Sequence, residues 1–561
     1  MKKLIVFLAA IITLNVSAQQ SPFITDSVKI SLKKHISTLA SDKYAGRETG
    51  SEGEKLAYTY IIRQFLSMKI APVKGKTFLQ QFPFTKGTEF GKRTYFSING
   101  KQYKLTNEFY PLAFSGNDSV AGDFINVSYG IEAPKLDHDD YRKRNVKGKI
   151  VVIETTTPDG NTPHGKFGEF ADLKDRAINA AKHGAIAVVF INSKDSSQNP
   201  VFDFHNKHTA IPIPVIFAKG IATKTLADGT TGKVNLVVDL NKIEGEGHNV
   251  AGFIDNNAKH TVVIGAHYDH LGFGDEGSLH RGEMAIHNGA DDNASGTAAL
   301  IELARYFKNA TAKNCNYLFI AFSGEEKGLL GSNYFIKNPL VDLDNVSYML
   351  NMDMVGRLKP EDPVLIINGI GTAPQWDKAM KEINVDGLKI KTTESGLGPS
   401  DHTSFYLDSI PAIHFFSGTH SDYHKPSDDE PLINYDGQIS IMRYMIQLIE
   451  KLDSQMGTES KLDFVKTNDS NNDNAPRFKV TLGVVPDYAF EGKGMRIDGV
   501  TDGKPASKCG LQKGDIVIKL GDVEVTDMMS YMKALGKFAK GDTTKVKYQR
   551  NNEEKEAEVT F

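Results

Sequence analysis

Residues 321–332 read AFSGEEKGLLGS, and two adjacent carboxylates, Glu325 and Glu326, follow an apolar, strand-like run. Neighbouring side chains point in different directions, so the pair cannot perform one task twice. Other strand-like runs end in comparable groups. TVVIGAHYDH delivers His267 and Asp269, VSYMLNMDM delivers Asp353, and IPAIHFFSGTHSDYHKPSDD delivers His420, Tyr423 and His424. HNGADDNASG sets Asp291 and Asp292 on a small-residue loop before a helical segment. A lone His or Asp of this kind is most often structural. Close carboxylates, however, repel and cannot all stay ionised unless a cation compensates. A mixed His/Asp/Glu set suits zinc, which takes imidazole and carboxylate at roughly 2.0–2.2 Å. Two histidines and three carboxylates are too many for one tetrahedral ion. They suit a pair of ions about 3.5–4 Å apart with one shared carboxylate.

The elements that would position these groups alternate between strand and helix from about 249 to 455. That pattern implies an α/β fold with a mostly parallel mixed sheet flanked by helices. In such sheets, function gathers beyond the carboxyl ends of the strands. Residues 29–70 read as helix, and segments near 77–84 and 93–98 as strands. From about 107 to 248 the texture changes to short apolar strands (VKGKIVVIETT, GAIAVVFIN, IPIPVIFAK) around one helix, LKDRAINAAKHG. This reads as a small inserted α/β module. Residues 454–477 are polar and poor in apolar side chains, a linker. Residues 478–561 regain strands and one helix. The expected division is 19–106 with 249–453 for the catalytic domain, 107–248 for the insertion and 478–561 for a C-terminal domain.

The 561-residue length calls for more than one core. A net charge of −3 argues against a nucleic-acid binder. Cys315 and Cys509 fall in different domains, so no structural disulfide is expected between them. Residues 1–18, MKKLIVFLAAIITLNVSA, have a basic start, a short apolar run and a small-residue end. They read as a secretory signal, and no stretch reaches spanning length. The expected mature protein is soluble and exported, periplasmic or extracellular.

The motifs GAHYDH, NGADDNASG, FSGEEKGLLGS, NMDMVG and SDYHKPSDD resemble, in order, those of the aminopeptidase Y/glutamate carboxypeptidase family of di-zinc exopeptidases. LASDKYAGRETGSEGEKLA is similar to that family's N-terminal part. The resemblance implies two zinc ions, one held by His267 and Asp353, the other by Glu326 and His424, with Asp292 bridging. It makes Glu325 the general base and Asp269 the partner that fixes the tautomer of His267. Tyr423 would hydrogen-bond the developing oxyanion. Asp291 receives no role and reads as a solvated loop carboxylate. His270, His280, His287, His402, His414 and His420 read as loop or supporting residues. Asp401-His402 matches a loop that shapes the family's pocket.

The insertion resembles a protease-associated domain, which would guide substrate entry or be inert. The C-terminal segment resembles a PDZ domain, with TLGVVPDYAF as its carboxylate-binding loop and first groove strand. Such a domain adds a peptide as an extra strand, so a peptide C-terminus is expected near Gly483, recruiting longer substrates.

Three functions compete. The first is a di-zinc aminopeptidase acting on peptides with a free N-terminus. The second is a carboxypeptidase or glutaminyl cyclase of the same fold, for which Arg357 is the one arginine immediately beside a motif. The third is a peptide-binding protein without catalysis, which the complete ligand set and Glu325 oppose.

Overall fold

A computed structural model describes residues 26–73, 77–160, 166–194, 199–200, 202, 210–227, 232–280, 282–456, 461–467, 480–486, 492–500, 504–526, 528–538, 541–551 and 553–561. The expected signal segment and most of the expected linker lie outside the described residues.

Three strands, His260–His267, Cys315–Phe322 and Val346–Met352, are buried along their whole length. Continuous apolar runs of this kind form the middle of a parallel sheet covered on both faces. His260–His267 pairs in parallel with Cys315–Phe322 on one side and Val346–Met352 on the other. Val346–Met352 pairs in parallel with Ala412–Phe416. The outer strands include antiparallel members: Leu240–Ile254 runs against Cys315–Phe322, and Val364–Asn368 against Ala412–Phe416. The mixed nine-stranded sheet agrees with the expected α/β class, although it is parallel in its middle and antiparallel in as many of its pairings as it is parallel, rather than mostly parallel. Its register sets His267 beside Phe322, so the residues that follow the parallel strands emerge on one edge.

Helices cover both faces. Leu32, Ile36, Phe65, Phe307 and Tyr444 pack on one, and Phe335 and Phe405 on the other. The long helix Tyr435–Met456 and the helix Gly296–Asn309 occupy their expected places. The segment expected as helix over 29–70 is two helices, Asp26–Leu39 and Glu52–Ser67. Between them Ala45 and Gly46 adopt positive φ. A Cβ at Gly46 would stand 2.5 Å from the Gly272 carbonyl, so the chain breaks there to approach the 272 loop. Ser51 restarts the helix by accepting the Glu54 N–H at 3.2 Å, and Glu54 accepts the Gly50 N–H at 3.0 Å.

The second sheet has eight strands and places the insertion's limits differently from the expectation. Tyr95–Ile98, expected in the catalytic domain, pairs with Lys233–Val238 of the second sheet. Leu240–Ile254, most of it expected in the insertion, belongs to the catalytic sheet and pairs with Leu79–Phe90 from Phe90↔Leu240 to Leu79↔Val250. Apolar alternation identifies a strand but not the sheet it joins, which explains the shift. The C-terminal region forms a separate six-stranded sheet with its own core, including Leu482, Ile497, Val517 and Val546. Neither Cys315 nor Cys509 is in a disulfide.

Candidate active site

The loop before the helix Gly296–Asn309 carries Asp291 and Asp292. Gly289, at φ +55°, opens it, and a Cβ there would meet the Asp292 carbonyl at 2.1 Å. Asn293 laces this loop to the next strand end, donating to Met352 O at 2.9 Å and accepting the Met354 N–H at 3.2 Å. Asp428 accepts the N–H groups of Asp291 and Asp292, each at 3.0 Å. Arg47, fully buried, donates to the carbonyls of Tyr268 at 2.8 Å, Leu39 at 2.7 Å, Asn288 at 2.6 Å and Gly289 at 2.9 Å. Burial pulls its guanidinium down to about 10, against Asp292 and Asp269, which favour the cation.

On this frame the predicted ligands converge. His267 Nε2 lies 3.4 Å from Asp292 Oδ1 and 3.3 Å from Asp353 Oδ1. His424 Nε2 lies 3.2 Å from Asp292 Oδ2 and 3.3 Å from Glu326 Oε2. Each oxygen of Asp292 therefore faces a different imidazole. In both imidazoles the other nitrogen is occupied: Nδ1 of His267 faces the Asp269 carbonyl at 3.2 Å, and Nδ1 of His424 the Gly277 carbonyl at 3.0 Å. His424 holds a left-handed backbone, φ +54°, with its carbonyl fixed by the Leu279 N–H at 2.9 Å. The 277–279 loop that orients it carried no signal in the sequence.

The two adjacent glutamates differ as their positions require. Burial, with the Asp353 and Glu326 carboxylates nearby, pushes Glu325 well above the ordinary carboxylate range, although His267 opposes the shift. Burial would raise Glu326 too, but His424 and His270 hold it well below that range. His270, expected only as a supporting residue, meets Glu326 Oε1 through Nδ1 at 2.7 Å. Asp269 behaves differently from the expectation in one respect. Its carboxylate stands 3.7 Å from His267 Nδ1, and it is the backbone carbonyl of Asp269 that comes within hydrogen-bonding reach. The carboxylate instead accepts the Glu325 N–H at 3.3 Å and the Thr49 hydroxyl at 3.0 Å.

Asp291 is not a solvated loop carboxylate. It is fully buried, accepts the Gly356 N–H at 2.6 Å and the Ser295 hydroxyl at 2.9 Å, and lies 3.2 Å from His420 Nε2. The loop's tight turn folds it inward, where backbone donors replace water. Tyr423 stacks on His424 with ring centroids 3.9 Å apart, and burial keeps its phenol protonated. His402 and His414 stack beneath the site, both held neutral by burial. Arg357 is engaged by Asp422 at 3.3 Å and does not line the cavity. A cavity of about 550 Å³ opens on Asp292, Glu325, Glu326, Asp353, Tyr423 and His424.

The donor set fits zinc. Donors about 2.0–2.1 Å from one tetrahedral ion stand roughly 3.3 Å apart. The separations of 3.2–3.4 Å around both oxygens of Asp292 match that edge. The donor atoms of His267, Asp292 and Asp353 all lie within 4.8 Å of one another.

Comparison with known proteins agrees. Residues 249–449 match the family model described as "Peptidase family M28", 109–226 that of the PA domain and 464–561 that of the PDZ domain. The chain is 28% identical over 340 residues to "Aminopeptidase YwaD" of Bacillus subtilis, covering 56% of this chain and 67% of that protein. It is 29% identical over 308 residues to an "Aminopeptidase" of Pseudomonas aeruginosa, covering 49% of this chain and about half, 54%, of that one. A solved structure of a zinc aminopeptidase from Bacillus subtilis aligns at 22% identity and a TM-score of 0.44, over 80% of this chain and 100% of that one. Residues 249–449 therefore match peptidase family M28, and His267, Asp292, Glu325, Glu326, Asp353 and His424 all fall inside that match, beside regions that match a PA domain and a PDZ domain.

Proposed function

We propose that the chain is an exported di-zinc aminopeptidase that releases N-terminal residues from peptides. The observation that carries this reading is Asp292, each of whose oxygens faces one imidazole Nε2. His267, Asp353 and Asp292 Oδ1 would hold one zinc, and His424, Glu326 and Asp292 Oδ2 the other. His270 meets Glu326 Oε1 through Nδ1 at 2.7 Å and would orient that ligand, although its donor atoms also lie near those of Asp292 and Glu326 as a second candidate on this side. When bound, the metals would acidify water and polarise the scissile carbonyl.

The protein's own groups do the rest. Glu325 takes a proton from the attacking water and passes it to the leaving amine nitrogen. The bond between Asp269 and the Glu325 N–H anchors the backbone that carries this carboxylate. The Tyr423 hydroxyl donates to the oxygen that gains charge. The N-terminal residue of the peptide would lie at the end of the cavity lined by Asp292, Glu325, Glu326 and Asp353.

Export rests on the basic-apolar-small pattern of residues 1–18, and no helix among the described residues is long and apolar enough to cross a membrane. A peptide C-terminus at the PDZ loop near Gly483 remains part of this reading. The test is a zinc-loaded assay of one peptide with a free and with an acetylated N-terminus, with the products sequenced. Stepwise release from the free peptide alone is the expected result. Release from the C-terminus, or equal cleavage of the blocked peptide, would overturn the proposal.

A further inference from the structure

The cavity is not lined by the catalytic domain alone. Thr481, Gly483, Val484 and Lys504 from the C-terminal domain also line it. The first three belong to the Thr481-Leu482-Gly483-Val484 turn, with Gly483 at φ +75°. A Cβ at Gly483 would stand 2.2 Å from Lys504 Cβ, so the bare glycine is what lets the lysine pack on this turn. The Thr481 hydroxyl accepts the Gly483 N–H at 3.0 Å. An incoming carboxylate oxygen can replace that hydroxyl as acceptor or accept from it. Val484–Pro486 then opens the sheet, and its only strand partner among the described residues is Met495–Val500. Among the described residues no strand pairs with its other edge, the edge at which a peptide strand could add.

Lys504 is the one lysine or arginine among the lining residues, and it pairs with no carboxylate among the described residues. Asp292, Glu326 and Asp353 in the same cavity would be neutralised by the zinc ions they hold, so Lys504 is the lining group that complements the free carboxylate of a short peptide, within about 550 Å³.

We propose that the PDZ turn and Lys504 form the distal wall of the substrate site and hold the free C-terminal carboxylate of a short peptide whose N-terminus lies at the metals. The inference rests on the aminopeptidase reading and deepens it. The carboxylate cradle acts as part of the catalytic cavity rather than as a remote tether, so the preferred substrates are short and carry both free ends. In a long peptide the cleaved end and the carboxylate cannot both occupy a cavity of this size.

The experiment compares a tripeptide with its C-terminal amide on the zinc-loaded full-length chain, then repeats the pair on Lys504→Glu and Lys504→Gln. One charged contact corresponds to roughly a tenfold preference in kcat/KM for the free acid. The expected result is that preference in the parent, its loss in Lys504→Glu, a partial loss in Lys504→Gln, and its decline as the peptide lengthens. Equal rates for acid and amide, or a preference untouched by Lys504→Glu, would overturn the inference. Calorimetric binding of the same tripeptide with a reduced, uncleavable first amide separates the two readings. Tighter binding of the acid that depends on Lys504, without N-terminal release from the natural peptide, would sink the aminopeptidase reading and keep this one. Release from both peptides with equal binding would do the reverse.

Discussion

Arg47 and Arg176 are buried guanidinium groups that serve the same mechanical purpose in two different sheets. Arg47 gathers four carbonyls from the loops around the catalytic strand ends. Arg176, on the helix Leu173–Lys182, donates to the carbonyls of Tyr129, Glu154, Thr155, Thr156 and Ala171 around the end of the strand Ile150–Glu154. Burial brings both down to about 10. The two clamps differ in the side chains at the strand ends they hold. After Ile150–Glu154 come Thr155, Thr156 and Thr157. Around Arg47 stand Asp269, Asp292, Asp428 and Glu326. A clamped loop at the carboxyl end of a parallel strand is thus common to both sheets, and only the residue types make one of them a site. Arg47 also offsets part of the repulsion among Asp292, Asp269, Asp428 and Glu326, whereas Arg176 faces the carboxylates of Asp172 and Asp140.

The largest effect separates the chemistry from the scaffold. Glu325→Gln should lower turnover by about 10²–10⁴-fold and keep two zinc ions per chain. Glu326→Gln should lose metal, read by elemental analysis. Equal metal loss in both would end the division of labour between these neighbours.

Arg47→Met and Arg176→Met test the comparison itself. Each strands several buried carbonyls, at about 1–3 kcal/mol or more, and both should lower the melting temperature. Only Arg47→Met should also weaken zinc binding. Comparable zinc loss in Arg176→Met would mean that the insertion supports the metal site and that the two clamps are not separable.

A pH effect is expected at a third buried group, away from either clamp. Burial would raise Glu302, but His35 at 3.0 Å and Ser31 at 2.7 Å hold it below its usual 4.5. A carboxyl lowered in the folded state adds stability above its unfolded value and loses it as pH falls through the folded one. Glu302→Gln should therefore cost more stability at neutral pH than near pH 4, measured by thermal melting at both. An equal cost at the two values would remove the ionic part of this interaction. The smallest effect is Ser51→Ala, about 1 kcal/mol from the lost helix cap, with zinc content unchanged.

Much of the cluster was legible because His267, Glu326 and Asp353 lie at or just past the ends of apolar strands, which share one edge in a parallel sheet, whereas Asp292 comes from the loop before a helix and His424 from a longer loop. The order of roles in Glu325-Glu326 was not legible from spacing, since alternation says only that neighbours diverge. His270 looked like any loop histidine, because its contact with Glu326 depends on a turn between distant strands. Asp291 looked solvated because polar loop residues usually are, and nothing local announced that Gly356 and Ser295 would meet it. The insertion's limits were displaced because strand pairing is a long-range property. The placing of the Thr481–Val484 turn against the metal cavity had no local signature at all.

The ribbon formed by Leu79–Phe90 and Leu240–Ile254 has one more consequence. The chain leaves the catalytic sheet after Phe90 and returns at Leu240, its direct partner, and the Gly91 N–H reaches Asp239 O at 2.6 Å. Exit and return thus coincide, and the catalytic sheet carries a ready-made socket. Any module whose two ends lie side by side can be plugged into it at little closure entropy, and a two-residue hairpin turn could seal it. The fold can therefore exchange its accessory cassette without altering the strands that present the carboxylates.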